Sequence, residues 1–248
     1  MELKPWLQRW SESPDTEYRL VCFPHAGGSA SFYRDWSGRL PEADVLGVCY
    51  PGRAERIADP LAEDLRALAY DIADALRPFT DLPLVLFGHS MGAPIALEAA
   101  RRLETSGLRV AHLIASGSRD APLPEPGELH ENEESVLGQL AAMGGTSREM
   151  LDDEIFRELV LPYVMGDSRM FHAYAMAPGP VLQCPVTVLT GDQDEEADCR
   201  PWSTLTAGPL RQLTVRGGHF YLTEEPPFEF LRGTVPASSA THARTPRP

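Results

Sequence analysis

Residues 84–97, Leu-Val-Leu-Phe-Gly-His-Ser-Met-Gly-Ala-Pro-Ile-Ala-Leu, decide the fold. A short apolar run, Leu84 to Phe87, enters Gly88-His89-Ser90-Met91-Gly92, and an Ala- and Leu-rich pattern of helical spacing follows at once. Strand, G-x-S-x-G, helix is the sequence form of a sharp turn that lifts a serine hydroxyl above a sheet. The glycines are required because side chains two residues either side of the serine would collide. By composition the five-residue pattern, with its three fixed positions, arises by chance roughly 0.09 times in a chain of this length. The flanking strand and helix therefore carry the weight.

Working outward, further Val- and Leu-rich runs recur at Tyr18 to Phe23, Val45 to Tyr50, Val110 to Ala115, Val186 to Thr190 and Leu210 to Val215. Each has the length and continuity of a strand buried on both faces. Amphipathic helical patterns at Ala62 to Arg77 and Met91 to Leu103 alternate with them. The expected fold class is α/β, a mostly parallel sheet flanked by helices. The alternation breaks from about 121 to 180, where helical patterns at Glu133 to Met143 and Asp153 to Tyr163 come without a strand. An inserted helical segment after the strand near Ala115 is expected, placed to act as a lid over a site at the carboxyl ends of the strands. The alternative is a surface decoration. Residues 1–232 read as one domain with this insertion. Residues 233–248, rich in Ser, Thr, Pro and Ala, read as a disordered tail.

The serine needs a base and an acid later in the chain. His219, in Arg216-Gly217-Gly218-His219-Phe220 after the last strand, is the candidate base. Asp192 and Asp194, in Thr190-Gly191-Asp192-Gln193-Asp194 after the preceding strand, compete for the acid. The developing oxyanion calls for two backbone N–H donors. One is expected from Met91, next to the nucleophile, and one from Ala26 in the glycine-rich turn Phe23-Pro24-His25-Ala26-Gly27-Gly28. That turn lacks the G-x-G-x-x-G spacing and acidic partner of a dinucleotide site.

Composition bounds the partners. The 248 residues are 43% hydrophobic and 23% charged, with Lys+Arg 22 against Asp+Glu 36 and a formal net charge of -14. Such a field repels nucleic acid and anionic membrane surfaces. Four scattered cysteines, Cys22, Cys49, Cys184 and Cys199, give no zinc or dithiol spacing. No metal cluster and no apolar stretch of about 18 residues is visible. A cytoplasmic protein with reduced thiols is the expectation.

The segments FPHAGGSAS, YPGRAER, LFGHSMGAPIALEAARRL and the late GGHF resemble the type II thioesterases of polyketide and nonribosomal peptide assembly lines. Pro51-Gly52-Arg53 is the discriminating piece. The resemblance implies an α/β-hydrolase fold with a helical lid and hydrolysis of acyl thioesters from the phosphopantetheine arm of carrier proteins, an editing role. It implies Asp194 as the acid, completing Ser90 and His219, and no cofactor beyond the pantetheine of the substrate. The partners it implies are acyl or peptidyl carrier domains. The segment Leu161-Pro162-Tyr163-Val164-Met165-Gly166-Asp167 departs from the family's usual continuation Leu-Arg-Ala-Asp.

Two further expectations concern recognition. Arg53 and Arg56, just after a strand end, are candidates for attracting the pantetheine phosphate or carrier acidic residues, with structural ion pairing as the alternative. Met165, Met170, Phe171, Tyr174 and Met176 are candidates for an acyl chamber, with ordinary core packing as the alternative. Rival functions are a small-molecule carboxylesterase on the same scaffold and a non-catalytic synthase-binding protein.

Overall fold

The computed structural model describes residues 6–11, 16–123, 132–144 and 147–234. Its strands are β1 (Leu7–Arg9), β2 (Tyr18–Phe23), β3 (Ala43–Val48), β4 (Leu84–His89), β5 (Val110–Ser116), β6 (Ser118–Asp120), β7 (Val186–Gly191), β8 (Asp198–Arg200) and β9 (Leu210–Val215). Seven form one sheet in the order β1-β3-β2-β4-β5-β7-β9. β1 runs antiparallel to β3, and every other pairing in that sheet is parallel. β6 and β8 make a separate parallel ribbon. The six runs read from sequence are all strands of the main sheet.

Period-two alternation divides the strand side chains between two cores. Val21, Phe23, Leu86, Leu113 and Val188 face one, packed under the helices Leu65–Leu76 and Gly92–Thr105. Leu20, Cys22, Phe87, Ile114 and Leu189 face the other, with Tyr33, Trp36, Tyr221 and Phe228. The helix Leu65–Leu76 begins where the Asp64 side chain accepts the Ala67 N–H at 2.7 Å, satisfying an amide that the helix cannot. At one sheet edge, Arg9 of β1 donates to both oxygens of buried Asp44 at 2.6 and 2.8 Å. The opposite edge, β9, is only partly covered, and polar Arg211 and Gln212 lie on it.

Between β6 and β7 the chain leaves the sheet for the helices Glu133–Met143, Arg148–Leu151 and Leu161–Ala173, the last preceded by a wider turn, Phe156–Val160. Asn132 caps the first of these on Ser135 N–H at 2.8 Å, and Gly144 ends it at φ +75°. The helical pattern expected to close at Tyr163 runs on to Ala173, since Pro162 lies in the first turn, where a missing N–H costs nothing. Val136, Leu151, Phe156, Leu161 and Val164 give the insertion a small core of its own. Residues 124–131 and 145–146 of the expected insertion, and the expected tail beyond Thr234, lie outside the described residues. Among the described residues no helix is long and apolar enough to cross a membrane.

Candidate active site

Ser90 stands between β4 and the helix Gly92–Thr105 with φ +55°, a left-handed conformation costly for a residue with a side chain. The flanking glycines are dictated by contact. A Cβ on Gly88 would lie 2.2 Å from Gly92 O, and one on Gly92 would lie 2.1 Å from Phe23 O. The turn is held by Ser90 N–H on Ser116 O at 2.8 Å and Ala93 N–H on Ser90 O at 2.9 Å.

His219 and Asp194 come from loops after β9 and β7. The imidazole Nδ1 lies 3.0 Å from each Asp194 carboxylate oxygen, with both residues 3% exposed. Asp194 is fixed in turn: its Oδ1 accepts the Glu196 N–H at 3.1 Å and its carbonyl accepts from Arg119. Asp192, the competitor, instead accepts Gly217 N–H at 2.8 Å at the surface and braces the histidine loop. The His219 ring centroid is 5.1 Å from that of His89, which precedes Ser90, so the dyad abuts the serine turn. His219 Nε2 is buried and finds no hydrogen-bond partner among the described residues. An imidazole with Nδ1 committed to a carboxylate and Nε2 open is arranged to take a proton.

Two more histidines surround this centre, and burial pushes both toward the neutral form. His25, also near His219 and Arg53, is lowered to about 3. His89 is lowered well below the ordinary value by burial and by its histidine neighbours. Its Nδ1 pairs with Ser116 Oγ at 2.9 Å, and that oxygen with Tyr221 Oη at 2.6 Å. Both flanking rings thus stay uncharged around neutral pH.

Ser90 opens into a cavity of about 430 Å³. His25, Ala26, Met91 and Phe220 line it from the sheet side; Val136, Leu140, Val164 and Phe171 line it from the insertion. Glu195, Glu196, Asp198 and Cys199, after the acid, form a third wall. His219 and Asp194 are buried, and the adjoining Phe220 and Glu195 reach the cavity in their place. Ala26 and Met91, the expected oxyanion donors, therefore border the same space as the serine.

The fold, the serine turn and the dyad are those of a hydrolase, and comparison with known proteins selects among hydrolases. The family model of the thioesterase domain matches residues 18–235. The chain belongs to the thioesterase family. The probable cadicidin biosynthesis thioesterase of Streptomyces griseus is 41% identical over 226 residues, which are 88% of this chain and 62% of that relative, so the chain spans less than two thirds of its length. Thioesterase PikA5 of Streptomyces venezuelae is 37% identical over 227 residues, 89% of this chain and 81% of its own. Among solved structures, the type II thioesterase BorB from the borrelidin biosynthetic cluster superposes with a TM-score of 0.80 at 36% identity, covering 94% of this chain and 99% of that one. This thioesterase-family member is thus an enzyme of the serine-hydrolase class on an α/β-hydrolase fold, as its likeness to type II thioesterases led us to expect.

Several recognition residues require correction. Arg53 is 4% exposed and donates to Asp167 at 2.6 and 2.5 Å and to Gly28 O at 3.2 Å, so its guanidinium is not presented to a phosphate or a carrier. Arg56 donates to Asp59 at 2.6 Å and to Cys49 O at 3.2 Å, stacks on Trp6 at 3.8 Å, and borders a different pocket from the serine cavity. Both arginines fit the ion-pairing alternative. Of the five acyl-chamber candidates, only Phe171 lines the cavity. Met165 packs in the insertion's own core, and Met170 is 3% exposed in the core beneath the helices. Tyr174 donates to Glu98 at 2.5 Å, and Met176 packs on the same core beside Arg200. Helical periodicity marks these side chains as apolar-facing without saying which apolar surface they meet. Val136, Leu140 and Val164, missed by that reading, lie on the insertion face turned to Ser90.

Proposed function

We propose that this protein hydrolyses acyl thioesters carried on the phosphopantetheine arm of acyl or peptidyl carrier proteins, removing stalled acyl groups from a polyketide or nonribosomal peptide synthase. The observation that carries the reading is a strained, left-handed Ser90 opening into a cavity beside the His219–Asp194 dyad, in a chain of the thioesterase family.

In the proposed reaction His219 Nε2 takes the Ser90 proton as Oγ attacks the thioester carbonyl. The N–H groups of Ala26 and Met91 receive the oxyanion. Collapse breaks the C–S bond, and the imidazolium returns its proton to the departing thiolate. Water then enters; His219 takes one of its protons, hydroxide attacks the acyl-serine, and Ser90 leaves reprotonated with the free acid as product. Asp194 keeps the Nδ1 proton in place and stabilises the imidazolium in both halves. The chemistry draws on protein groups, and the pantetheine belongs to the substrate. The insertion supplies the acyl-facing wall through Val136, Leu140, Val164 and Phe171.

The test presents purified protein, beside Ser90→Ala, with short acyl and aminoacyl groups on a phosphopantetheinylated carrier and follows loss of the acyl mass. Release by the wild type alone is the expected result. Absence of release with simple-ester hydrolysis intact moves the reading to a carboxylesterase, and inactivity on both moves it to a non-catalytic binding protein.

A further inference from the structure

The turn that carries Ala26 is gripped from three directions. Tyr50 Oη donates to Pro24 O at 3.1 Å, Arg53 Nη1 donates to Gly28 O at 3.2 Å, and Gly27 N–H donates to Asp167 Oδ2 at 2.8 Å. Arg53 and Asp167 are joined by two parallel bonds, Nη1 to Oδ2 at 2.6 Å and Nη2 to Oδ1 at 2.5 Å, and are 4% and 5% exposed. The guanidinium lies over the rings of Tyr50 and Tyr163, at 5.4 and 4.8 Å. Gly27 has φ +75°, and a Cβ there would meet a Val164 methyl at 2.8 Å, so backbone and insertion helix are in direct contact.

Asp167 and Val164 belong to the helix Leu161–Ala173, whereas Arg53 and the turn belong to the sheet body. A buried ion pair is a poor source of net stability, since desolvating both charges offsets their attraction. Its bonds here fall on the peptide groups immediately after Ala26. We infer that Arg53 and Asp167 are positioning residues that set the Ala26 N–H toward the oxyanion and make that donor depend on the insertion helix being docked. With Asp167 withdrawn, Gly27 N–H loses its acceptor and Arg53 loses the partner that orients it on Gly28 O. The wall over the acyl cavity and the electrostatic half of the catalytic site then form together. This inference rests on the proposed thioester hydrolysis and adds its coupling to the insertion.

The test uses the double substitution Arg53→Met with Asp167→Leu, which removes both charges and the grip while leaving apolar volume. Thermal unfolding should stay cooperative and near the wild-type midpoint. Turnover of an acyl-pantetheine thioester should lose about ten- to a hundred-fold in kcat, with KM within about two-fold, because the missing interaction acts on the oxyanion. Affinity for the analogue bearing a trifluoromethyl ketone in place of the thioester, which forms an oxyanion hemiketal on the serine, should fall by the same factor as kcat. A folded double variant with kcat and analogue affinity within two-fold of wild type overturns the inference. If the double variant does not fold, Asp167→Ala, which removes both acceptors of the pair, carries the comparison: a parallel fall in kcat and analogue affinity supports the inference, and no change overturns it. A wild-type protein that neither hydrolyses the thioester nor binds the analogue overturns the proposed function and the inference with it, whereas an active wild type with unaffected variants overturns the inference alone.

Discussion

Asp194→Asn isolates the role of the acid, and its consequence follows from the contacts. In the wild type the two carboxylate oxygens each lie 3.0 Å from His219 Nδ1, and Oδ1 also holds Glu196 N–H at 3.1 Å. An asparagine of the same shape keeps its oxygen where the Glu196 amide demands it and turns its NH₂ toward the ring. Nδ1 must then accept rather than donate, so the ring proton moves to Nε2, the nitrogen that has to receive the serine proton. Loss of the correct tautomer and of the imidazolium's counter-charge is expected to lower kcat by about 10⁴, which is roughly 5.5 kcal/mol of transition-state stabilisation. Shape and hydrogen-bond count are conserved, so stability should change by no more than about 1–2 kcal/mol. The assay is single-turnover release of acyl mass from a pantetheine thioester, paired with urea unfolding. Asp192→Asn, at a side chain that holds the Gly217 amide, is the control and should keep kcat within a few-fold. A folded Asp194→Asn protein that retains more than a tenth of wild-type kcat refutes the reasoning.

Three further outcomes are expected. The pKa of His25 is lowered to about 3 in the folded state from an ordinary value near 6.5, so its contribution to stability is complete above pH 6.5 and is lost as pH falls through the window toward 3. Linkage puts the loss at about 2 kcal/mol by pH 5, and His25→Phe, measured by urea unfolding at pH 7.5 and 5, should show a correspondingly smaller acid-side drop. Phe171→Ala removes the phenyl ring that the insertion places in the cavity, so kcat/KM should shift toward bulkier acyl groups in competition between short and branched thioesters. Arg56→Ala should leave carrier-bound turnover and its salt dependence unchanged while lowering stability by about 1 kcal/mol through loss of the Trp6 stack and the Asp59 pair, read by melting.

The parts of the fold visible in sequence were those specified by local repetition. Strands buried on both faces, such as Tyr18–Phe23, carry continuous apolar runs, and the serine turn carries glycines that no other residue can replace. β1 is not legible in the sequence because Leu-Gln-Arg is too short to show a period, and β6 and β8 are not because Ser-Arg-Asp and Asp-Cys-Arg contain no apolar pattern. Those strands exist by pairing with distant chain. The misreading of Arg53 has the same origin: its partner lies 114 residues away, on a helix whose placement no spacing rule supplies. Acid selection between Asp192 and Asp194 was physically ambiguous for the opposite reason, since the two are so close that one loop serves either. A backbone turn, rather than composition, directs Asp194 inward.

The β6–β8 ribbon gives this architecture a collar. β6 ends where the chain departs for its helices, and β8 begins just past the acid loop, with Ser118 paired to Asp198 and Asp120 to Arg200. Trp202 donates to Ser118 Oγ at 2.9 Å and Thr190 donates to Ser118 O, tying the collar to the sheet beneath. Geometry at the carboxylate is thereby anchored upstream of whatever the departing helices do. The helices thus depart from a paired ribbon rather than from the acid loop itself, which separates their packing from the hold on the Asp194 carboxylate.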